Sequence, residues 1–107
     1  MEITTEELKQ KIENGDKLLI DFHGLWCRPC IMMKPTFEKI ANQLKEEGSE
    51  IQLYTMDVDK NSDMVSQLGL RGVPTIKSFK DGKEVTSNTG MLNEIQIKQL
   101  ISELSNG

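Results

Sequence analysis

The sequence predicts an α/β protein in which a central mixed β-sheet is flanked by helices on both faces. The apolar runs at 17–22 and 51–58 lack the alternation of a half-exposed strand, so they indicate strands covered on both sides. Segments with helical spacing of apolar residues separate these runs, and the Asp-Gly pair at 81–82 predicts a hairpin. The expected order is β-α-β-α-β-α-β-β-α with a very short first strand, in one domain of residues 1–107.

The composition argues against nucleic-acid-binding and membrane proteins. The 107 residues include 13 Lys and Arg against 17 Asp and Glu, a net charge of −4 without a basic cluster, which argues against nucleic-acid binding. No apolar run approaches the length of a membrane span, and the acidic start at 1–7 is unlike a signal peptide. We therefore expect a soluble protein of the cytoplasm that has no contact with membranes.

Capping residues predict where the helices begin, and the spacing of apolar residues predicts which side of each helix is buried. Thr4 followed by Glu7 makes a capping box for the first helix, and residues 2–4 leave room for only a very short strand before it. The second helix should run from Cys27 to about residue 47, with a kink at Pro35. Asn61 or the serine after it is expected to cap a short third helix. The predicted core stripe of the second helix is Phe37, Ile40, Ala41 and Leu44.

The last part of the chain predicts two strands and a helix. Pro74 should mark the start of a strand, because proline does not fit the middle of a central ladder. A hairpin at 76–79 and from Val85 onward is expected around the Asp-Gly turn. Asn93 should cap a final helix whose inner stripe is Ile97, Leu100, Ile101 and Leu104.

The two cysteines present, Cys27 and Cys30, are separated by only two residues at the start of a predicted helix. This spacing permits a disulfide near the surface. The unpaired N–H groups of a first helical turn favour a thiolate, which is the form that attacks disulfides. Pro29 fits this position, since proline is well tolerated in the first turn. The pattern predicts reversible dithiol–disulfide exchange.

The cysteine pair has two other interpretations, a zinc site and a structural disulfide. Tetrahedral zinc needs four ligands, and only His23 would add a third nitrogen or sulfur, so a carboxylate would have to complete the site. A purely structural disulfide that closes so short a loop would restrict the unfolded chain little. In a reducing compartment such a pair is more often catalytic than structural.

Asp21 is the one acid in the apolar run 17–22. A carboxyl group in a strand covered on both faces is desolvated, which raises its pKa and lets it keep a proton near neutral pH. This predicts a proton donor and acceptor beneath the cysteines. The alternative is an acid at the end of the strand that reaches solvent.

With these residues in view, the sequence resembles the thioredoxins over essentially its whole length. Each shared point is modest alone, but their order and spacing together are specific. The resemblance implies a thioredoxin fold and a cis peptide bond before Pro74, facing the disulfide. The shared points are Asp21-Phe22, the Trp26-Cys27-Arg28-Pro29-Cys30 variant of the active-site motif, Pro35, Val73-Pro74-Thr75 and Gly90.

The resemblance also implies roles for individual residues. Cys27 would be the attacking thiolate, Cys30 the resolving thiol, and Asp21 the group that moves the proton for Cys30. The backbone of Val73 would pair with an extended substrate segment as a short strand. The expected substrate-binding residues are Trp26, Arg28, Pro29, Val73, Pro74, Gly90 and Met91. Trp26 alternatively serves ordinary packing, and Gly90 only a turn.

Three residues depart from the family pattern. Arg28 replaces a glycine between the cysteines, His23 stands where a tryptophan is common, and Thr55 replaces a lysine beside the buried acid. Without that lysine, Asp21 should be harder to ionise. His23 lies on the same side of the strand as Asp21, so it is either coupled to Asp21 or a solvated loop histidine. Arg28 either favours the Cys27 thiolate or contacts only substrates.

The leading functional hypothesis is a disulfide reductase that passes electrons from a thioredoxin reductase to disulfide-containing protein substrates. It would act as a monomer with no organic cofactor and no metal, because the cysteine pair carries the electrons. A glutaredoxin is one alternative, although that family shows Thr-Val-Pro where this chain has Val73-Pro74-Thr75. The other alternative is a binding subunit of a larger assembly, in which redox activity is incidental.

Overall fold

The computed structural model describes residues 1–106, which form four α-helices, four β-strands and a short 3-10 helix. In chain order the elements are α1 (Thr5–Glu13), β1 (Leu18–His23), α2 (Arg28–Glu46), β2 (Gln52–Asp57), the 3-10 helix (Val58–Lys60), α3 (Ser62–Leu68), β3 (Thr75–Lys80), β4 (Lys83–Thr89) and α4 (Glu94–Asn106). Among these residues, no helix combines the length and apolar character that crossing a membrane requires.

The four strands form one mixed sheet in the order β2-β1-β3-β4. β1 pairs in parallel with β2 and antiparallel with β3, and β3 pairs antiparallel with β4. The expected first strand is reduced to an isolated parallel bridge between Glu2 and Thr55. In that bridge the backbone N–H of Ile3 donates to the Thr55 carbonyl at 2.8 Å. The N-terminal segment therefore lies along the outer edge of β2.

β1 is buried along its whole length, as the non-alternating run predicted. Its side chains alternate between two apolar cores on opposite faces of the sheet. Leu19 packs with residues of α2 and α4, whereas Leu18, Ile20 and Phe22 pack with residues of α1 and α3. Each fully buried side chain of this size contributes about 1.5–3 kcal/mol. The helices on both faces, and thus the α/β class, are confirmed.

Three helix N-caps were predicted from the sequence, and the structure confirms the side-chain caps of two of them. Thr4 and Glu7 form the predicted capping box, and the side chain of Asn93 accepts from the backbone N–H of Gln96 at 2.8 Å. Asn61 stands at the N-cap position of α3, but the prediction that its side chain caps this helix is wrong. Its Oδ1 instead accepts from the backbone N–H of Thr5 at 3.0 Å, which ties α3 to α1.

The boundaries of β2 and β4 differ from the sequence expectations, and β2 begins one residue late, at Gln52. β2 ends one residue early, at Asp57, because the Asp57 carboxylate accepts from the backbone N–H of Asp59 at 2.9 Å and begins the 3-10 helix. β4 begins at Lys83 rather than Val85, directly after the tight turn. Asp81 and Gly82 both have positive φ values, 55° and 81°, as that turn requires. The hairpin itself is confirmed.

Candidate active site

The cysteine motif lies where β1 ends and α2 begins. Cys27 is the N-cap residue of α2, and Pro29 occupies the first turn, where its missing N–H costs nothing. Cys27 and Cys30 form a disulfide, with their Cα atoms 5.3 Å apart. The Cys27 Sγ also accepts from the backbone N–H of Cys30 at 3.4 Å. A thiolate on this sulfur would accept a hydrogen bond from that N–H. It would also be stabilised by the positive end of the helix dipole.

The segment before β3 faces the same sulfur. The carbonyl oxygen of Val73 lies 3.7 Å from the Cys27 Sγ, and the peptide bond from Val73 to Pro74 is cis, as expected. The backbone N–H of Gly90 donates to the Pro74 carbonyl at 2.8 Å. Gly90 has a φ of 107°, a conformation that favours glycine. The predicted residues Val73, Pro74 and Gly90 are therefore close together, and Val73 lies next to Cys27.

Trp26 lies on the surface, with 68% of its area exposed. Its indole Nε1 donates to the Asp59 carboxylate at 2.8 Å, which fixes the ring across Gly24. A Cβ atom at Gly24 would lie 2.7–2.9 Å from three ring atoms, so a larger residue here would have to displace the exposed indole ring. Sequence reasoning overlooked both Gly24 and Asp59. Asp59 is 33 residues from Trp26, and no local pattern links them.

Large apolar side chains are exposed beside the cysteines. Trp26 and Val73 flank a shallow groove of about 180 Å³ whose other walls are Val58, Val65, Leu70 and Gly72. Met91, predicted as part of the substrate surface, is 49% exposed after Gly90. The exposed apolar residues of this end of the molecule, here called the apolar rim, are Leu25, Trp26, Ile31, Met32 and Met91. A group of exposed apolar side chains like this is typical of a site that contacts other molecules.

Asp21 is 1% exposed, so the alternative of an acid that reaches solvent is wrong. Its Oδ1 has no hydrogen-bond partner among residues 1–106. Burial raises the pKa of Asp21 to about 7. The positive charges of His23 and Lys34 work against this rise, and the negative charge of Glu2 adds to it. Asp21 therefore changes its charge near neutral pH, as predicted from the apolar run.

A cleft of about 60 Å³ joins Asp21 to Cys30. Its walls also include His23, Lys34 and Thr55. This volume exceeds what a water molecule needs, and carboxyl, imidazole and hydroxyl groups line it. The cleft therefore has room for a water molecule between the Asp21 carboxyl and Cys30.

His23 is not the solvated loop histidine of one earlier alternative. It is the last residue of β1 and is 7% exposed, because the N-terminal segment covers it. Its Nε2 lies 3.0 Å from the Glu2 Oε1. Among residues 1–106, no group of three or more His, Cys, Asp and Glu side chains is arranged to hold a metal ion. The bond between Cys27 and Cys30 and the contact of His23 with Glu2 give no support to the zinc interpretation.

Comparison with known proteins decides the family. The family model for thioredoxin matches residues 1–103. The chain belongs to the thioredoxin family. It is similar to thioredoxin-2 of Saccharomyces cerevisiae, with 38% identity over 100 residues that cover 92% of this chain and 91% of that protein. The resemblance inferred from the cysteine motif and Pro74 is confirmed.

A solved structure agrees with this membership. The thioredoxin of Malassezia sympodialis has a TM-score of 0.85 at 30% identity, covering 97% of this chain and 91% of that one. Thioredoxins are thiol–disulfide oxidoreductases, and so is this chain, with Cys27 and Cys30 at the active-site position of the family. This membership favours thioredoxin over the glutaredoxin alternative.

Protein disulfide-isomerases share part of the sequence. The rabbit enzyme (Oryctolagus cuniculus) is 46% identical over 65 residues, which are 61% of this chain. The same match spans only 13% of the length of that enzyme. The likeness therefore concerns a single thioredoxin-like region of a much longer protein.

Proposed function

We propose that this chain is a thioredoxin that reduces protein disulfides in the cytoplasm, as a single-domain monomer of residues 1–107. The observation that supports this best is the position of the Cys27 sulfur, between the start of α2, the Val73 carbonyl and the apolar rim. A reducing compartment would keep such a pair as the dithiol that attacks substrates. Thioredoxin reductase would return the electrons, and the cysteine pair would carry them without an organic cofactor or a metal.

The reaction has two exchange steps. In the first, the Cys27 thiolate attacks one sulfur of a substrate disulfide, forms a mixed disulfide, and the second substrate sulfur leaves as a thiolate. In the second, the Cys30 thiol gives its proton through water to the Asp21 carboxylate, and its sulfur then attacks the Cys27 sulfur. The bond between Cys27 and the substrate breaks, the substrate sulfur leaves as a thiolate, and the two substrate thiolates take up protons from Asp21 and from water. The products are a substrate dithiol and the Cys27–Cys30 disulfide. Two electrons have moved to the substrate.

Substrate binding would use the surface around Cys27. An extended substrate segment would pair with the backbone of Val73 as a short strand, while Trp26 and Met91 contact its apolar side chains. Arg28 and Pro29 are exposed beside Cys27, and Gly90 adds no side chain to this surface. Pro74 is buried and would hold the Val73 backbone beside Cys27. These roles require that substrates present a disulfide on an accessible, extended segment.

Replacement of Cys30 by serine should trap substrates. Cys27 would still attack, but no thiol would resolve the mixed disulfide, so covalent complexes accumulate. The measurement is capture from a reduced cytoplasmic extract, followed by release with a strong reductant and mass spectrometry. The matched control is the double variant Cys27→Ser/Cys30→Ser, which should capture nothing. Equal capture by both variants would contradict the proposal that Cys27 is the attacking thiol.

The Arg28→Gly variant tests whether a positive charge next to Cys27 favours its thiolate. The Arg28 charge at the start of α2 should favour the Cys27 thiolate and thus the reduced dithiol, although exposure to water weakens the effect. Arg28→Gly should therefore make the redox potential more negative by ~10–30 mV. The measurement is equilibration with a glutathione couple, with Arg28→Lys as the control that keeps the charge. A potential that is unchanged or less negative would leave Arg28 only a substrate contact.

A further inference from the structure

The side chain of Glu2 joins the N-terminal segment to the end of β2. Its Oε2 accepts from the backbone N–H of Asp57 at 2.6 Å, and its Oε1 accepts from the Thr55 hydroxyl at 2.5 Å. The same Oε1 lies 3.0 Å from the His23 Nε2. Asp57 is the last residue of β2, and without Glu2 its N–H would face the open edge of the sheet. The Glu2 carboxylate therefore fixes the point where β2 ends and the 3-10 helix begins.

The side chain of Asn61 makes a second link to the same point. Its Oδ1 accepts from the backbone N–H of Thr5 at 3.0 Å and from the Thr5 hydroxyl at 2.7 Å. Its amide nitrogen donates to the Asp57 carbonyl at 2.8 Å. The backbone carbonyl of Asn61 accepts from the N–H of Val65 at 3.1 Å. Asn61 thus holds the start of α1, the end of β2 and the first turn of α3 together.

A line of hydrogen bonds continues from the end of β2 to the redox surface. The Asp57 carboxylate accepts from the backbone N–H of Asp59 at 2.9 Å, and the Asp59 carboxylate accepts from the Trp26 indole at 2.8 Å. The walls of the apolar groove include Trp26, Val58 of the 3-10 helix and Val65 of α3. Both the indole ring and these walls therefore depend on where the 3-10 helix lies.

We propose that Glu2 and Asn61 are positioning residues for substrate binding, which hold the 3-10 helix so that Trp26 and the apolar groove keep the shape that substrates bind. The inference rests on the proposed use of this surface by protein substrates. The Cys27 sulfur is held separately, by the start of α2 and beside the Val73 carbonyl. Loss of either positioning residue should therefore weaken substrate binding and leave the attack by Cys27 unchanged.

Fluorescence of Trp26 tests the link to the indole ring, with the disulfide formed. Trp26 is the only tryptophan of the chain, so selective excitation of tryptophan reports on this ring alone. Glu2→Leu keeps a side chain of similar size without acceptor oxygens, and Asn61→Ala removes the second link. Time-resolved anisotropy of either variant should show a larger amplitude of fast indole motion than the native chain shows.

A double variant tests whether Glu2 acts through the line of hydrogen bonds. Asp59→Ala frees the Trp26 indole directly and should give the largest amplitude of fast motion. In an Asp59→Ala background, Glu2→Leu should add no further motion, because the last hydrogen bond of the line is already absent.

Single-turnover kinetics test the consequence for substrate binding. The reduced chain is mixed with increasing concentrations of insulin, and its oxidation is followed by thiol alkylation and mass spectrometry. The half-saturating concentration of insulin should rise about fivefold in Glu2→Leu and in Asn61→Ala, the effect expected when one hydrogen bond is lost. The limiting rate should stay within about a factor of two, since the environment of the Cys27 thiolate is unchanged.

Two controls separate positioning from a general loss of stability. Glu7→Leu removes the carboxylate of the α1 capping box, which accepts from the Thr4 N–H and hydroxyl at 2.9 Å rather than from the 3-10 helix. This variant should also lose stability, but its anisotropy and half-saturating concentration should stay native. Glu2→Gln keeps an oxygen that can accept from the Asp57 N–H, so it should restore both readouts.

The two readouts can fail separately. Native anisotropy in both Glu2→Leu and Asn61→Ala, or equal effects of Glu7→Leu and Glu2→Leu, would overturn the inference whatever the substrates are. A freer indole with an unchanged half-saturating concentration would overturn the link to substrate binding. A native chain that does not reduce insulin would instead overturn the proposed function and leave the anisotropy result intact.

Discussion

Replacement of Cys27 by serine is expected to abolish insulin reduction, leaving only the rate of the added reductant. Serine at this position has no ionised form near neutral pH and cannot form the mixed disulfide on which turnover depends. The N-cap role of Cys27 would survive, because a serine hydroxyl accepts the same backbone N–H bond as the sulfur does. The loss of activity should therefore occur without loss of the fold, which circular dichroism and thermal unfolding would verify.

The same variant tests the alternative in which the chain is a binding subunit and its redox activity is incidental. A subunit that works through the apolar rim would keep its partner and its cellular role after Cys27→Ser. A reductase would lose both turnover and covalent capture of substrates. Insulin reduction that persists in Cys27→Ser at the native rate would overturn the assignment of Cys27, and with it the proposed mechanism.

Asp21→Asn is expected to raise the free energy of unfolding by up to about 4 kcal/mol at pH 8. The pKa of Asp21 is about 7 in the folded chain against 3.8 as the ordinary value. Above pH 7 both states carry the ionised carboxyl, and the folded state bears the whole cost of a buried charge. Below pH 3.8 the carboxyl is protonated in both states and this cost vanishes. The advantage of the variant should therefore grow as the pH rises from about 4 to 7.

The measurement is urea unfolding of the oxidised protein at pH 4, 6 and 8. Glu103→Gln removes an exposed carboxylate of α4 and serves as the matched control, with little effect expected at any of these pH values. A stability gain for Asp21→Asn that is the same at pH 4 and pH 8 would show that packing, not ionisation, is responsible. The folded-state pKa of Asp21 would then be wrong.

Local patterns were sufficient for most elements and for the cysteine site. Non-alternating apolar runs revealed the strands covered on both faces, and the burial of Asp21 followed directly from its place in the first run. The spacing of Cys27 and Cys30 at a helix start predicted the disulfide, because positions three apart in the first turn lie close together. These predictions succeeded because each depends on residues that are neighbours in the chain.

The sequence by itself therefore determined the fold class, the redox-active pair and the buried acid. Only the tertiary structure decided which side chains face that acid and the cysteines. Glu2 contacts His23 across 21 positions, Trp26 contacts Asp59 across 33, and Thr5 contacts Asn61 across 56. Periodicity indicates which side of an element is buried. The polar partner on another element depends instead on strand register and on the path of the N-terminal segment along β2. For this physical reason the sequence is compatible with both interpretations of His23, and the contact with Glu2 decides between them.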